Sequence, residues 1–186
     1  MDYKTNFLIN CAGLFSDHMA ELSNMKREVR IVPFRGEYYM LNEQAGHLVK
    51  NLIYPVPDPR YPFLGVHFTR TLNGGIEAGP NAVLAWAREG YKKTDFNLKE
   101  MWDYLSYVGF WRMAGKYWST AIGEYYRSFF KEAFVNALQK LVPEITADDI
   151  DPSPSGVRAQ ALASDGSLID DFVINSVENM IHVINA

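Results

Sequence analysis

The chain of 186 residues holds a single cysteine, Cys11. One thiol forms neither an internal disulfide nor a cysteine metal cluster, so nothing here requires an oxidising compartment. Basic residues are outnumbered: 18 Lys and Arg against 22 Asp and Glu leave a formal net charge of −4. Non-specific nucleic-acid binding needs a basic face, so nucleic acid is not an expected partner. No apolar run approaches the ~20 residues that a membrane helix needs, and the opening residues read as too polar for a signal peptide. The expected location is cytoplasmic, with membrane association as the alternative. Neither a GxGxxG nor a P-loop motif occurs, so the usual glycine cradles for phosphate are missing. His18, His47 and His182 have no metal-ligand spacing, and no metal site is expected.

What the chain does have is a core. Hydrophobic residues make up 48% and charged residues 22%, a globular balance for one sizeable domain. Asn6–Cys11 reads as a buried strand that ends at Ala12-Gly13 and runs into helical spacing from Leu14. Between Arg30 and Asn81, β-like runs at Arg30–Phe34, Asn51–Val56 and Leu64–Arg70 are separated by Pro, Gly and Asn. Thr71-Leu72-Asn73-Gly74-Gly75 predicts a hairpin turn, with Ile76–Ala78 as the returning strand.

From Asn81 the spacing becomes helical. Asn81 is placed to cap a short helix through Arg88, and Asn97 to cap another. Gly109 and Gly115 should loosen or interrupt the helix that Asn97 begins. A long helix from about Tyr117 to Leu141 sets Trp118, Ala121, Ile122, Tyr125, Phe129, Ala133, Phe134, Ala137 and Leu138 on one stripe, read as packing. Thr146 with Asp148-Asp149 suggests a capped turn, and Asp151–Gly156 a stiff one. Strands are expected at Val157–Leu162, Leu168–Asn175 and Met180–Ile184. Sheet at both ends and helices in the middle predict an α+β fold, its mixed or antiparallel sheet covered by helices on one face.

The polar residues on the predicted sheet suit an anionic ligand. Arg35, Tyr38, Tyr54, His67, Thr69 and Arg70 lie in or beside the Arg30–Asn81 runs, and Arg grips a carboxylate bidentately. Period-two alternation puts His67 and Thr69 on one face and Phe68 and Arg70 on the other. Imidazole suits proton transfer near neutral pH, which favours His67 over Arg70 as the pocket residue. An ordinary half-buried sheet, or an Arg35–Glu37 pair, explains the same residues without a ligand.

Taken together, NCAG at 10–13, RIVPFRGEYY at 30–39, LIYPVPDPRYPFLGVHFT at 52–69, GGIEAGPNAVLAWAREGY at 74–91 and GVRAQ at 156–160 resemble one family. It is the FAD-dependent L-2-hydroxyglutarate oxidase/dehydrogenase group, within the D-amino-acid-oxidase-like flavoproteins. The resemblance covers almost the whole chain in collinear order, and the proline-punctuated segment is its most specific part. Such enzymes open with a strand and a GxGxxG turn that this sequence lacks, so it is expected to be a fragment of one, inactive alone.

The resemblance implies three parts: 1–22 as a strand-Gly-helix remnant of the FAD-binding domain, 23–155 as the substrate-binding domain with its helices over 81–141, and 156–186 as strands returning toward the FAD domain. It implies oxidation of a small dicarboxylate, L-2-hydroxyglutarate, to the 2-oxo acid by hydride transfer to FAD. His67 is the expected base. Arg158, Arg35, Tyr38, Tyr54 and Thr69 are the expected substrate contacts, and Asn10, Ala12, Gly13 and Gly156 the expected cofactor contacts. A peripheral membrane or quinone contact is compatible with it, and the oligomeric state is left open. The alternatives are a stand-alone dicarboxylate- or partner-binding module, or a related FAD-dependent glycerol-3-phosphate or amino-acid oxidoreductase.

Overall fold

The structure is a computed structural model that describes residues 4–58 and 63–185. Its elements in chain order are β1 (Leu8–Asn10), α1 (Ser16–Glu21), β2 (Arg30–Leu41), β3 (His67–Arg70), β4 (Ile76–Leu84), α2 (Leu98–Leu105), α3 (Val108–Phe129), α4 (Lys131–Leu138), β5 (Ile150–Leu162), β6 (Val173–Val177) and β7 (Met180–Asn185). Among the described residues two sheets form, with strand orders β1-β7-β6 and β3-β4-β2-β5. The first is mixed, since β1 runs parallel to β7 and β6 antiparallel to it. The α+β expectation holds.

The chain divides into two compact units, one of residues 1–34, 85–116 and 157–186, the other of 35–84 and 117–156. This is a division by packing, whereas the parts 1–22, 23–155 and 156–186 that the resemblance implies divide a whole enzyme by role; in the first unit the segments are brought together by buried side chains. Ala20, Val29, Ile31, Ala161 and Ile184 make its apolar cluster, and the Tyr104 hydroxyl of α2 donates to the Ala85 carbonyl at 3.3 Å.

In the second unit one sheet face is the core. Leu41 of β2, Phe68 of β3, and Ile76 and Ala78 of β4 pack with Phe134, Val135 and Leu138 of α4. The Thr71–Gly75 turn closes as expected, with the Thr71 N–H donating to the Gly75 carbonyl at 2.8 Å and Gly74 at φ 84°. That turn fixes the β3–β4 register, pairing His67 with Gly79 and Thr69 with Glu77. The Asn51–Val56 run contributes only a bridge, Ile53 to Phe68. Pro59 and Pro62 of the proline-rich segment lie outside the described residues.

Four local expectations are corrected. Asn81 caps no helix: β4 continues to Leu84, because Asn81, Val83 and Ala85 alternate as buried residues, the period of a strand. The helix that Asn97 begins ends at Leu105, before either glycine, and a separate helix, α3, runs through both Gly109 and Gly115. The long helix is two, since Phe130 (φ −118°, ψ 108°) leaves the helical region between α3 and α4. That break divides the stripe: Phe134 and Leu138 are buried, whereas Trp118, Ile122 and Phe129 are exposed. Residues 151–156 belong to β5 and form no turn. Pro152 and Pro154 fit there because β5 is the last strand of its sheet, where a missing N–H breaks no central ladder. Two cap expectations hold. The Asn97 side chain accepts from the Lys99 and Glu100 N–H groups, and Thr146 forms a capping box with Asp149.

Candidate active site

The face of β3 and β4 opposite the Phe68 core carries the polar residues. Alternation puts His67 and Thr69 there, and the register places Gly79 and Glu77 directly opposite them. Tyr38 stands beside Gly79: a Cβ at Gly79 would lie 2.9 Å from Tyr38 Cδ1 and 2.9 Å from the Glu37 carbonyl oxygen. With φ 145° and no room for a side chain, position 79 requires glycine. Tyr54 completes the group. Its ring stacks on His67 with centroids 4.2 Å apart and planes 20° from parallel, and its hydroxyl lies 3.0 Å from Thr69 Oγ1. Burial raises the Tyr38 phenol above its ordinary pKa, with Glu77 and then Tyr54 adding to the rise.

The His67 Nδ1 atom lies 3.0 Å from the Gly65 carbonyl oxygen. A carbonyl only accepts, so Nδ1 carries the proton of that bond. In the neutral ring the lone pair is then on Nε2, the atom a base would use. His67, Tyr54, Thr69 and Tyr38 lie together on this face; alternation in the sequence had paired only His67 with Thr69. Glu77 was missed, although the hairpin turn fixes its register opposite Thr69 and so its face.

Arg35 is not part of this group. It lies on the other parity of β2 from Tyr38, is 3% exposed, and donates from Nε (3.1 Å) and Nη2 (2.9 Å) to Glu37 Oε1. Glu37 and Arg35 belong to a buried polar layer with α3. There the Asn81 amide donates to the Glu124 carbonyl at 2.8 Å, the Arg127 Nε to Asn81 Oδ1 at 3.2 Å, and Arg127 pairs with the Glu124 carboxylate. Burial raises the Glu124 carboxyl despite Arg127 and the Ala82 N–H. Burial also pushes the Tyr125 phenol to about 12, and its hydroxyl donates to the Leu84 carbonyl at 3.0 Å.

Arg158 and Gly156 both belong to β5, and both are exposed. Gly156 ends its segment of the second unit, and Arg158 belongs to the first. Ala12 and Gly13 are exposed after β1; Gly13 has φ 52°, and a Cβ there would meet nothing within 4 Å. Asn10 is buried, its amide donating to the Ser16 carbonyl at 2.8 Å and lying 3.1 Å from His182 Nδ1, its oxygen accepting from the Ala12 N–H at 3.0 Å. It shapes the turn that leaves Ala12 and Gly13 open. An exposed backbone with a positive-φ glycine has room for close approach of a cofactor.

The first unit also holds an ionic cluster that sequence spacing did not reveal. Arg88, 1% exposed, reaches Asp17 Oδ1 at 2.8 Å and Asp103 Oδ2 at 2.9 Å. Arg27 reaches the same two carboxylates at 2.5 and 2.8 Å. Asp17, His18 and Asp103 have the proximity of a metal site, within 4.8 Å of one another, but the guanidinium groups already satisfy both carboxylates. A cleft of about 680 Å³ beside them is lined by His18, Arg27, Arg30, Trp102 and Asp103 among others, and by none of the predicted site residues.

Comparison with known proteins agrees with the fold. Residues 2–186 match the family described as FAD dependent oxidoreductase. The chain is 55% identical over 185 residues to L-2-hydroxyglutarate dehydrogenase of Indibacter alkaliphilus, covering 99% of this chain and 46% of that protein. It is 47% identical to the mitochondrial L-2-hydroxyglutarate dehydrogenase of Homo sapiens, covering 100% of this chain and 41% of that one. Among solved structures it resembles dithionite-reduced L-alpha-glycerophosphate oxidase from Mycoplasma pneumoniae with FAD bound, at TM-score 0.61 and 16% identity, over 98% of this chain and 38% of that one. That likeness speaks to the fold alone. The chain spans less than half the length of these curated relatives. Among the described residues no helix is long and apolar enough to cross a membrane. By the match along nearly its whole length, the chain belongs to the FAD dependent oxidoreductase family.

Proposed function

We propose that this chain supplies the substrate-facing sheet of an FAD-dependent dehydrogenase that oxidises L-2-hydroxyglutarate to 2-oxoglutarate. The names of the 41–55% identical relatives support the substrate. The observation that carries the chemistry is the Nδ1 bond from His67 to the Gly65 carbonyl, which leaves Nε2 as the base atom. In this reading Nε2 takes the hydroxyl proton of the substrate as its Cα–H bond breaks. The flavin, when bound, supplies the hydride acceptor. Ala12 and Gly13 offer it open backbone, Asn10 holds their turn, and Gly156 lies in β5 two residues before Arg158.

Arg158 is the proposed partner for a substrate carboxylate, since a guanidinium matches that group bidentately. Tyr38 offers a phenol that remains protonated and can donate a hydrogen bond. Arg35 is assigned to the Glu37 pair in place of a clamp. The cytoplasm is the proposed location.

The test uses the full-length holoenzyme that contains this chain. His67→Gln should lower kcat by roughly 10²- to 10⁴-fold, the contribution expected of a general base, with flavin content unchanged. Turnover within threefold of the parent removes His67 as the base. Arg158→Lys should chiefly raise KM for L-2-hydroxyglutarate.

A further inference from the structure

The imidazole that the proposed function relies on is fixed by its neighbours, and one of them has no other evident task. Histidine χ2 is a broad torsion, so a ring on a strand needs external contacts to settle its plane and its flip. The Gly65 carbonyl selects the flip, because only one places Nδ1 against it. The plane is set by Tyr54, whose ring covers one face of the imidazole at 4.2 Å.

Tyr54 is in turn fixed at both ends. Its backbone continues from Ile53, which exchanges two hydrogen bonds with Phe68, at 3.1 and 2.9 Å. Its hydroxyl is tied to Thr69 Oγ1 at 3.0 Å, and Thr69 sits on the same strand and face as His67. The contacts form a closed loop: strand β3 carries the imidazole, the threonine and the bridge, and Tyr54 spans them. A stacked ring with its only polar atom tied back to the strand is built to hold a neighbour in place.

We propose that Tyr54, anchored by Thr69, is a positioning residue for His67 and does not itself contact the substrate. The proposal rests on the reading of His67 as the base. It reassigns Tyr54 and Thr69, which the sequence suggested as substrate contacts.

The experiment separates the two ideas. In the holoenzyme, Tyr54→Phe keeps the stack and loses the tether, and should lower kcat about three- to tenfold with KM within twofold. Thr69→Val should reproduce that effect, and the double variant should add little, as expected for two partners in one interaction. Tyr54→Ala loses both contacts and should lower kcat further, about 10- to 50-fold. Ring-nitrogen spectra of ¹⁵N-histidine-labelled holoenzyme, with the His67 signals identified by their loss in His67→Gln, supply a readout independent of turnover. The parent should show protonated Nδ1 and unprotonated Nε2, and Tyr54→Ala should mix the tautomers. A raised KM in Tyr54→Phe that Thr69→Val does not share would make Tyr54 a substrate ligand and overturn the proposal. Unchanged kcat and unchanged spectra in Tyr54→Ala would overturn it too. If His67→Gln itself retains turnover, the proposed function fails, whatever Tyr54 does.

Discussion

The two units hold their polar groups in opposite ways. In the first, Asp17, Arg88, Asp103 and Arg27 concentrate charge out of water, and every carboxylate is saturated by guanidinium donors. In the second, the face of β3 and β4 gathers an imidazole, two phenols, a hydroxyl and one carboxylate, all partly exposed. The charged cluster has the look of a site, but the oxygens of Asp17 and Asp103 are already held by guanidinium groups; among the described residues, Arg27 Nε is its buried polar atom without a hydrogen-bond partner. On the quieter face the Nδ1 bond of His67 leaves Nε2 open, and Tyr54 and Thr69 are bonded to each other. Acceptor atoms already held by neighbouring donors are not open to a substrate, however much charge surrounds them.

Substituting one residue from each region should pull activity and stability apart. His67→Gln carries the largest expected effect on turnover and should leave the unfolding midpoint within experimental error. Arg88→Met should do the reverse. It leaves the carboxylate of Asp17, 0% exposed, with the Arg27 guanidinium and the backbone N–H groups of His18 and Ile31, and breaking one partner out of a buried ionic group costs about 3–5 kcal/mol. Urea denaturation tracked by circular dichroism measures the loss. An unfolding free energy unchanged in Arg88→Met would mean that the cluster is not structural, and the comparison would fail.

Titration should separate the regions next, because their acids are shifted in opposite directions. Burial pushes the Asp17 carboxyl up, but the hydrogen bond and charge of Arg88, with Arg27, hold it below the ordinary value; Asp103 is likewise lowered by Arg27, His18 and Arg88 against its burial. A depressed acid stabilises the fold above its unfolded pKa, so this contribution is lost as pH falls below about 4. In the second unit, burial raises Glu124, and raises Tyr125 to about 12. A raised acid favours the fold in its neutral form, so Tyr125 withdraws stability as pH climbs from about 10, its unfolded value, toward 12. Hydrogen exchange should therefore show residues around Asp17 losing protection first in acid, and those around Tyr125 first in alkali. A single order of loss at both extremes contradicts the opposed shifts.

Where the sequence was legible, the decisive contacts were short-ranged. Thr71–Gly75 gave a turn, the turn gave a register, and the register put Thr69 and His67 opposite Glu77 and Gly79. Alternation alone separated His67 from the buried Phe68. The Asp17 cluster was invisible because Arg88 lies 71 residues away and no periodicity links them. Asn81 misled for a related reason. Its side chain suits a helix cap, but the partners that decide its use, Glu124 and Arg127, come from a helix more than 40 residues later. The stripe from Trp118 to Leu138 failed at one residue, Phe130, whose backbone angles reset the helical phase. Even the Arg35–Glu37 pair, two residues apart, needed the burial of both to choose between clamp and structural ion pair.

The smallest effect tests whether the units differ only in their polar clusters. Each has a well-made local cap: Asn97 at the start of α2 in the first unit, and the Thr146–Asp149 box in the second. Both satisfy N–H groups that a helical turn leaves without partners, and neither touches the ionic cluster or the His67 face. Asn97→Ala and Thr146→Ala should each cost about 1 kcal/mol, with kcat unchanged in the holoenzyme. Equal and modest losses would show that ordinary local structure contributes alike in both units, so that the contrast between them lies in how each uses its buried charge. A loss at Asn97 several times that at Thr146 would instead tie α2, which carries Asp103, to the ionic cluster, and the cap would then have to be counted as part of it.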